Sequence, residues 1–126
     1  MEKEVVYSTE APKPIGPYSQ AVWAGDTLFV SGQIALDPAS GELIQGNIET
    51  ETKVVLNNVK AILDKVGIGF SNIVKTSIFL KNMDDFAAVN AVYASYFTSD
   101  FPARETVQVS KLPKDVNVEI SVIAIR

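Results

Sequence analysis

The chain has 126 residues, 47% of them apolar and 21% charged, an ordinary globular composition at the length of a single domain, 1–126. It holds no cysteine and no histidine, which removes disulfide scaffolds, Cys/His zinc sites, haem attachment and every nucleophilic or acid–base scheme built on those side chains. With 11 basic against 15 acidic side chains the net charge is −4, the wrong sign for neutralising phosphates, so nucleic acid is not expected as a main ligand.

The start, Met1-Glu2-Lys3-Glu4, is acidic where a secretory or mitochondrial leader is basic. Apolar runs are too short to span a bilayer, so a cytoplasmic protein with no membrane partner is expected. Val5-Val6-Tyr7 suits a short strand, and the Pro/Gly-dense stretch 12–17 a loop. Residues 19–24 and 27–36 read as two strands joined at Gly25-Asp26, a pair that tolerates the positive φ of a tight hairpin. Asp37-Pro38-Ala39-Ser40-Gly41 ends the second of them.

The period then becomes helical. Val55, Val59, Ile62, Leu63 and Val66 form an apolar stripe on a helix predicted over 48–66 and stopped by Gly67 and Gly69. Residues 73–81 return to strand, and Asn82-Met83-Asp84 supplies turn and capping residues for a second helix striped by Phe86, Val89, Tyr93, Tyr96 and Phe97. Beyond Pro102, residues 104–111 and 116–126 read as two strands around the turn Leu112-Pro113-Lys114-Asp115.

The order β-β-β-α-β-α-β-β predicts an α+β fold, a single mixed sheet with two helices on one face. In the last strand Val116, Val118, Ile120 and Val122 point one way and Ile123 and Ile125 the other, so both faces are apolar. A chain of this size buries only about two thirds of its unfolded surface. The uncovered face is therefore expected to close in a homo-oligomer.

Five places depart from their local pattern. Glu119 sits mid-strand in the most apolar segment, where an ionised carboxylate must be paired or hydrated; a site carboxylate and a solvent-facing edge residue both fit. Arg104 follows Phe101-Pro102-Ala103, and its fork suits bidentate capture of a small organic acid, although a surface ion pair is the plainer reading. A simple hairpin about 112–115 would place Gln108, not Arg104, opposite Glu119. Asn90 lies on the stripe of the second helix and should face inward or toward an interface, as a ligand contact or a structural hydrogen bond. Gly32, beside Ser31, interrupts a strand and marks a bulge or a close approach. Tyr18 follows Gly16-Pro17 on a stiff loop, presenting a phenol or merely packing the loop.

Gly16-Pro17-Tyr18-Ser19-Gln20-Ala21, Ser31-Gly32-Gln33, the run 82–93 with Phe86 and Asn90, Phe101-Pro102-Ala103-Arg104, and Leu112-Pro113-Lys114-Asp115-Val116 before Val118-Glu119-Ile120 closely resemble the RidA/YjgF family of reactive intermediate deaminases. Each motif is weak alone; five in order across nearly the whole chain are specific. The resemblance implies a chorismate-mutase-like fold and a homotrimer with ligand clefts between subunits. It implies hydrolysis of 2-imino acids such as 2-iminobutanoate and 2-iminopropanoate to 2-oxo acids and ammonia, with no cofactor and no metal.

By the same resemblance Arg104 matches the carboxylate-binding arginine and Glu119 the water-positioning acid, with Tyr18 assisting. Tyr18, Ser31, Gly32, Asn90 and Thr106 match substrate-binding positions. Many members carry cysteine where this chain has Thr106; the resemblance implies that the backbone there meets the ligand, a role threonine fills equally well. The chemistry is compatible with the missing residues, because a protonated imine is already electrophilic and needs only to be held in line with a water. The rival readings are a non-catalytic metabolite-binding or regulatory trimer and, more remotely, a ribonuclease, against which the acidic balance and the lack of histidine count.

Overall fold

A computed structural model describes residues 2–126. Strands β1 (Lys3–Val6), β2 (Ala21–Ala24) and β3 (Thr27–Gln33) precede helix α1 (Ile48–Lys65). Strand β4 (Ile73–Leu80), helix α2 (Phe86–Ala94), and strands β5 (Ala103–Gln108) and β6 (Val118–Ile125) follow. The six strands form one mixed sheet in the order β1-β2-β3-β6-β4-β5, in which β4 and β5 are parallel and the other pairs antiparallel. The predicted element order and fold class therefore hold.

Local chemistry explains the boundaries. Gly25 takes φ 62° in the turn between β2 and β3. Asn47 caps α1, its side-chain oxygen accepting from Thr50 N at 2.8 Å, and Gly67 follows the helix at φ 76°. Val55, Val59, Ile62 and Leu63 are each 0% exposed, so the stripe is the buried face. Asn58 is buried as well: its Nδ2 donates to the carbonyls of Ile34 and Leu36, fastening α1 to the chain just beyond β3.

The end of the chain departs from the sequence reading. β5 and β6 do not form a hairpin, because β4, α2 and β5 form a β-α-β unit whose strands are necessarily parallel, leaving β5 as an edge. The turn at Pro113–Asp115 then sends β6 into the slot between β3 and β4. Phe79, not Gln108, is thus opposite Glu119, and the Gln108 side chain instead accepts from Met83 N.

In β6, Val118, Ile120, Val122 and Ala124 are buried under the helices, while Glu119, Ser121, Ile123 and Ile125 lie on the other face. That face is uncovered within the chain and apolar over much of its area. Val5, Val22, Phe29 and Ile123 are in register across it, with Phe29 48% exposed. Among the described residues no helix is long and apolar enough to cross a membrane.

Removing the Asn58 amide strands the Leu36 carbonyl and leaves that of Ile34 with the Leu36 N–H as its one donor. We expect Asn58→Ala to lower the unfolding free energy by about 1–3 kcal/mol in denaturant melts at fixed protein concentration. Lys60→Ala, which breaks an exposed ion pair on the same helix, should change it by less than about 1 kcal/mol.

Candidate functional site

The pairing of β3 with β6 is irregular at one point. Val30 opposes Val122 and Gln33 opposes Ile120, so Ser31 and Gly32 together face Ser121 in a bulge. Ser31 is tied down on both sides, its N–H donating to Gln20 O at 2.9 Å and its hydroxyl to Ser19 O at 2.5 Å. Gly32 lies against the Glu119 side chain: a Cβ there would stand 2.5 Å from Glu119 Oε2. Only glycine leaves the carboxylate where it is.

The loop before β2 walls this point. Gln20, 1% exposed, accepts from Ser8 N at 2.6 Å and donates to Ser8 O and Pro12 O at 3.0 and 2.9 Å, so one buried amide shapes the loop. Tyr18 projects from it half-exposed, its hydroxyl accepting from Ile15 N at 3.4 Å. Between loop and bulge is a cavity of about 420 Å³ lined by Tyr18, Ser31, Gly32 and Glu119 with Ile15 and Leu36 among its apolar walls. Glu119 is half-buried here, and desolvation raises its pKa above the ordinary 4.5. Burial is the cause within one chain, where Arg104 does not reach it.

Arg104 is elsewhere. On β5 it is in register with the buried Thr76, hence on the helix-covered face, whereas Glu119 is on the open one. Its guanidinium lies 5.0 Å from the Tyr93 ring centre and 5.7 Å from that of Phe86, and Nη1 donates to Asn90 Oδ1 at 2.6 Å. Tyr93 in turn donates to Thr76 Oγ1 at 2.9 Å, and burial raises its phenol pKa. Asn90, Tyr93, Ala94, Phe101, Pro102 and Arg104 line a second cavity of about 280 Å³. Among the described residues no carboxylate pairs with Arg104, so the surface ion pair is not found.

Of the two orientations expected for Asn90 the inward one is not found: it is exposed, because the short α2 buries Val89, Val92 and Tyr93 and leaves the next position outside. It nonetheless orients the arginine. Thr106 is opposite Ile78 on the face of Arg104, and its hydroxyl is buried without a partner. The structure thus joins Tyr18, Ser31, Gly32 and Glu119 in one group and Arg104 with Asn90 in another. It does not join the groups within one chain.

Phe86, Tyr93 and Gln20 were legible only as packing or as parts of motifs. The signal for the first two was their spacing about Asn90, at i−4 and i+3, which places all three on one side of α2. Among the described residues no group of three or more acidic side chains is arranged to hold a metal ion.

The chain matches the family model described as Endoribonuclease L-PSP over residues 8–126. It is 52% identical to a RutC family protein of Pyrococcus horikoshii over 97% of each chain. It is 46% identical to a 2-iminobutanoate/2-iminopropanoate deaminase of Capra hircus, over 98% of this chain and 90% of that protein. Among solved structures, the YjgF gene product of E. coli superposes with a TM-score of 0.92 at 43% identity, covering 98% of both chains. E. coli TdcF with bound serine gives 0.93 at 39% identity, also over 98% of both.

The raised pKa of Glu119 has a thermodynamic sign. The folded chain holds the proton more tightly than the unfolded one, so stability is lost as pH rises from 4.5 through the folded-state value. Glu119→Gln is expected to melt above the parent protein at pH 7, with the difference vanishing below pH 4.5 in parallel thermal melts.

Proposed function

The chain belongs to the RidA/YjgF family, and on that premise we propose that it hydrolyses small 2-imino acids to 2-oxo acids and ammonia. We read the working protein as a homotrimer in which the Arg104 group of one subunit meets the Glu119 cavity of the next. The observation that carries this reading is the separation itself. An unpaired, pre-oriented arginine and a desolvated carboxylate lie on opposite faces of one sheet, and the open face is apolar enough to call for a partner.

The chemistry then needs little. The substrate enters as an iminium, R–C(=NH2+)–COO−, whose C2 already accepts a nucleophile. Arg104, held by Asn90 and flanked by Phe86 and Tyr93, takes the carboxylate through two parallel hydrogen bonds. Glu119 accepts a proton from a water as its oxygen bonds to C2, and burial, by raising the pKa of Glu119, makes it a better base than an exposed carboxylate. Glu119 returns the proton to the nitrogen of the resulting carbinolamine, the C–N bond breaks with its electron pair going to ammonia, and the C2 hydroxyl gives its proton back to Glu119 as the carbonyl forms. Tyr18 and the bulge at Ser31 and Gly32 flank the reacting carbon, and the Thr106 backbone lies two residues from the arginine. No cofactor or metal enters this scheme. Serine, bound in TdcF, shares the α-carboxylate of such a substrate.

Imines generated in situ by an amino-acid oxidase test the reading through the rate of 2-oxo acid formation. Wild-type protein should accelerate it, and Arg104→Ala and Glu119→Gln should each lose at least about a hundredfold in kcat/KM. With the wild type, kcat should rise with pH along an acidic limb lying above 4.5. An equimolar mixture of Arg104→Ala and Glu119→Gln chains, unfolded and refolded together, should recover about a quarter of wild-type activity, because one interface in four then pairs two intact groups. No acceleration by wild type, with a 2-oxo acid still raising the melting temperature, would favour the binding trimer instead.

A further inference from the structure

The Glu119 cavity measures about 420 Å³ within one chain, the size range of small-molecule sites. Its polar lining comes from Ser31, Gln33 and Glu119 with Tyr18 and Gln20, and Pro12, Ile15, Ile34, Leu36 and Pro113 supply apolar surface. Among the described residues Glu119 is the only charged one lining it. Ile34 and Leu36 are 7% and 5% exposed and belong to a small core cluster with Leu112 and Val116. Ile15 is different: it is 57% exposed, lies outside both core clusters and still lines the cavity from the loop that carries Tyr18.

We propose that Ile15 is a specificity-determining residue, making the cavity accept 2-imino acids with large apolar side chains and reject those with a second carboxylate. The proposal rests on the imine-hydrolysis reading and deepens it. The substrate's α-carboxylate is fixed by Arg104 and its C2 by the water at Glu119, which leaves the side chain to extend along the apolar wall. Each methylene laid there leaves water for a dry surface. A second carboxylate would meet an ionised Glu119 and an apolar wall, with Arg104 already taken by the α-carboxylate. Of the aliphatic wall residues Ile15, Ile34 and Leu36, Ile15 is the one that can change chemistry without disturbing a core.

The experiment compares kcat/KM for imines generated from alanine, leucine and glutamate by matched amino-acid oxidases, with catalase present to remove peroxide. The leucine-derived imine should exceed the alanine-derived one by about tenfold or more, and the glutamate-derived imine should fall at least about tenfold below the leucine-derived one. Ile15→Lys should raise the glutamate-to-leucine ratio by about tenfold or more, and Ile15→Asp should lower it. The two variants carry opposite charges at one exposed position, so opposite shifts exclude a common structural defect, and either variant alone still reads the ratio if the other fails to fold. A ratio unmoved by the substitutions, or a wild-type preference for the alanine-derived imine, overturns the specificity proposal while leaving imine hydrolysis intact. Absence of turnover on all three imines overturns the hydrolysis reading itself.

Discussion

Strand β6 is the constraint on which the rest depends. It is the last strand made and it lies between β3 and β4, paired on both edges, so its alternation is imposed on the centre of the sheet. Val118, Ile120, Val122 and Ala124 bind the helices to the sheet by burial, and the positions between them are thereby committed to the other face. Glu119 occupies one of those positions. A slip of one residue would put a carboxylate under α1 and expose the core residues, so the hydrophobic effect that folds the chain also fixes where the carboxylate points.

The two polar groups are prepared in different ways. Arg104 is held by neutral contacts, an amide oxygen and two ring faces, which orient the guanidinium while leaving its charge uncompensated. Glu119 is prepared by partial loss of water, which leaves it reluctant to ionise and correspondingly basic. An intramolecular ion pair between them would have relaxed both, and the sheet that separates them prevents it.

Much of this was legible in the sequence where local chemistry decides: the α1 stripe, the Gly25 turn, the stop at Gly67 and the alternation in β6 all held. The hairpin at 112–115 did not, because strand neighbours are chosen by the whole sheet and not by the nearest turn. Asn90 was placed on the right helix, and of its two expected orientations the inward one fails because the stripe extends to Tyr96 and Phe97 beyond the end of α2. Gly32 and Glu119 each stood out singly. Their contact depends on a register shift that no residue pattern announces, and the exposed Ile15 carried no signal until the cavity it lines was seen.

The bulge at Ser31 and Gly32 has a consequence for how this chain tolerates change in length. Losing one of those two residues would let β3 and β6 zip together without interruption, a better ladder and by that measure a better sheet. It would also remove the slack that keeps backbone clear of the carboxylate. At this single point a more regular sheet and an open cavity make opposite demands on chain length.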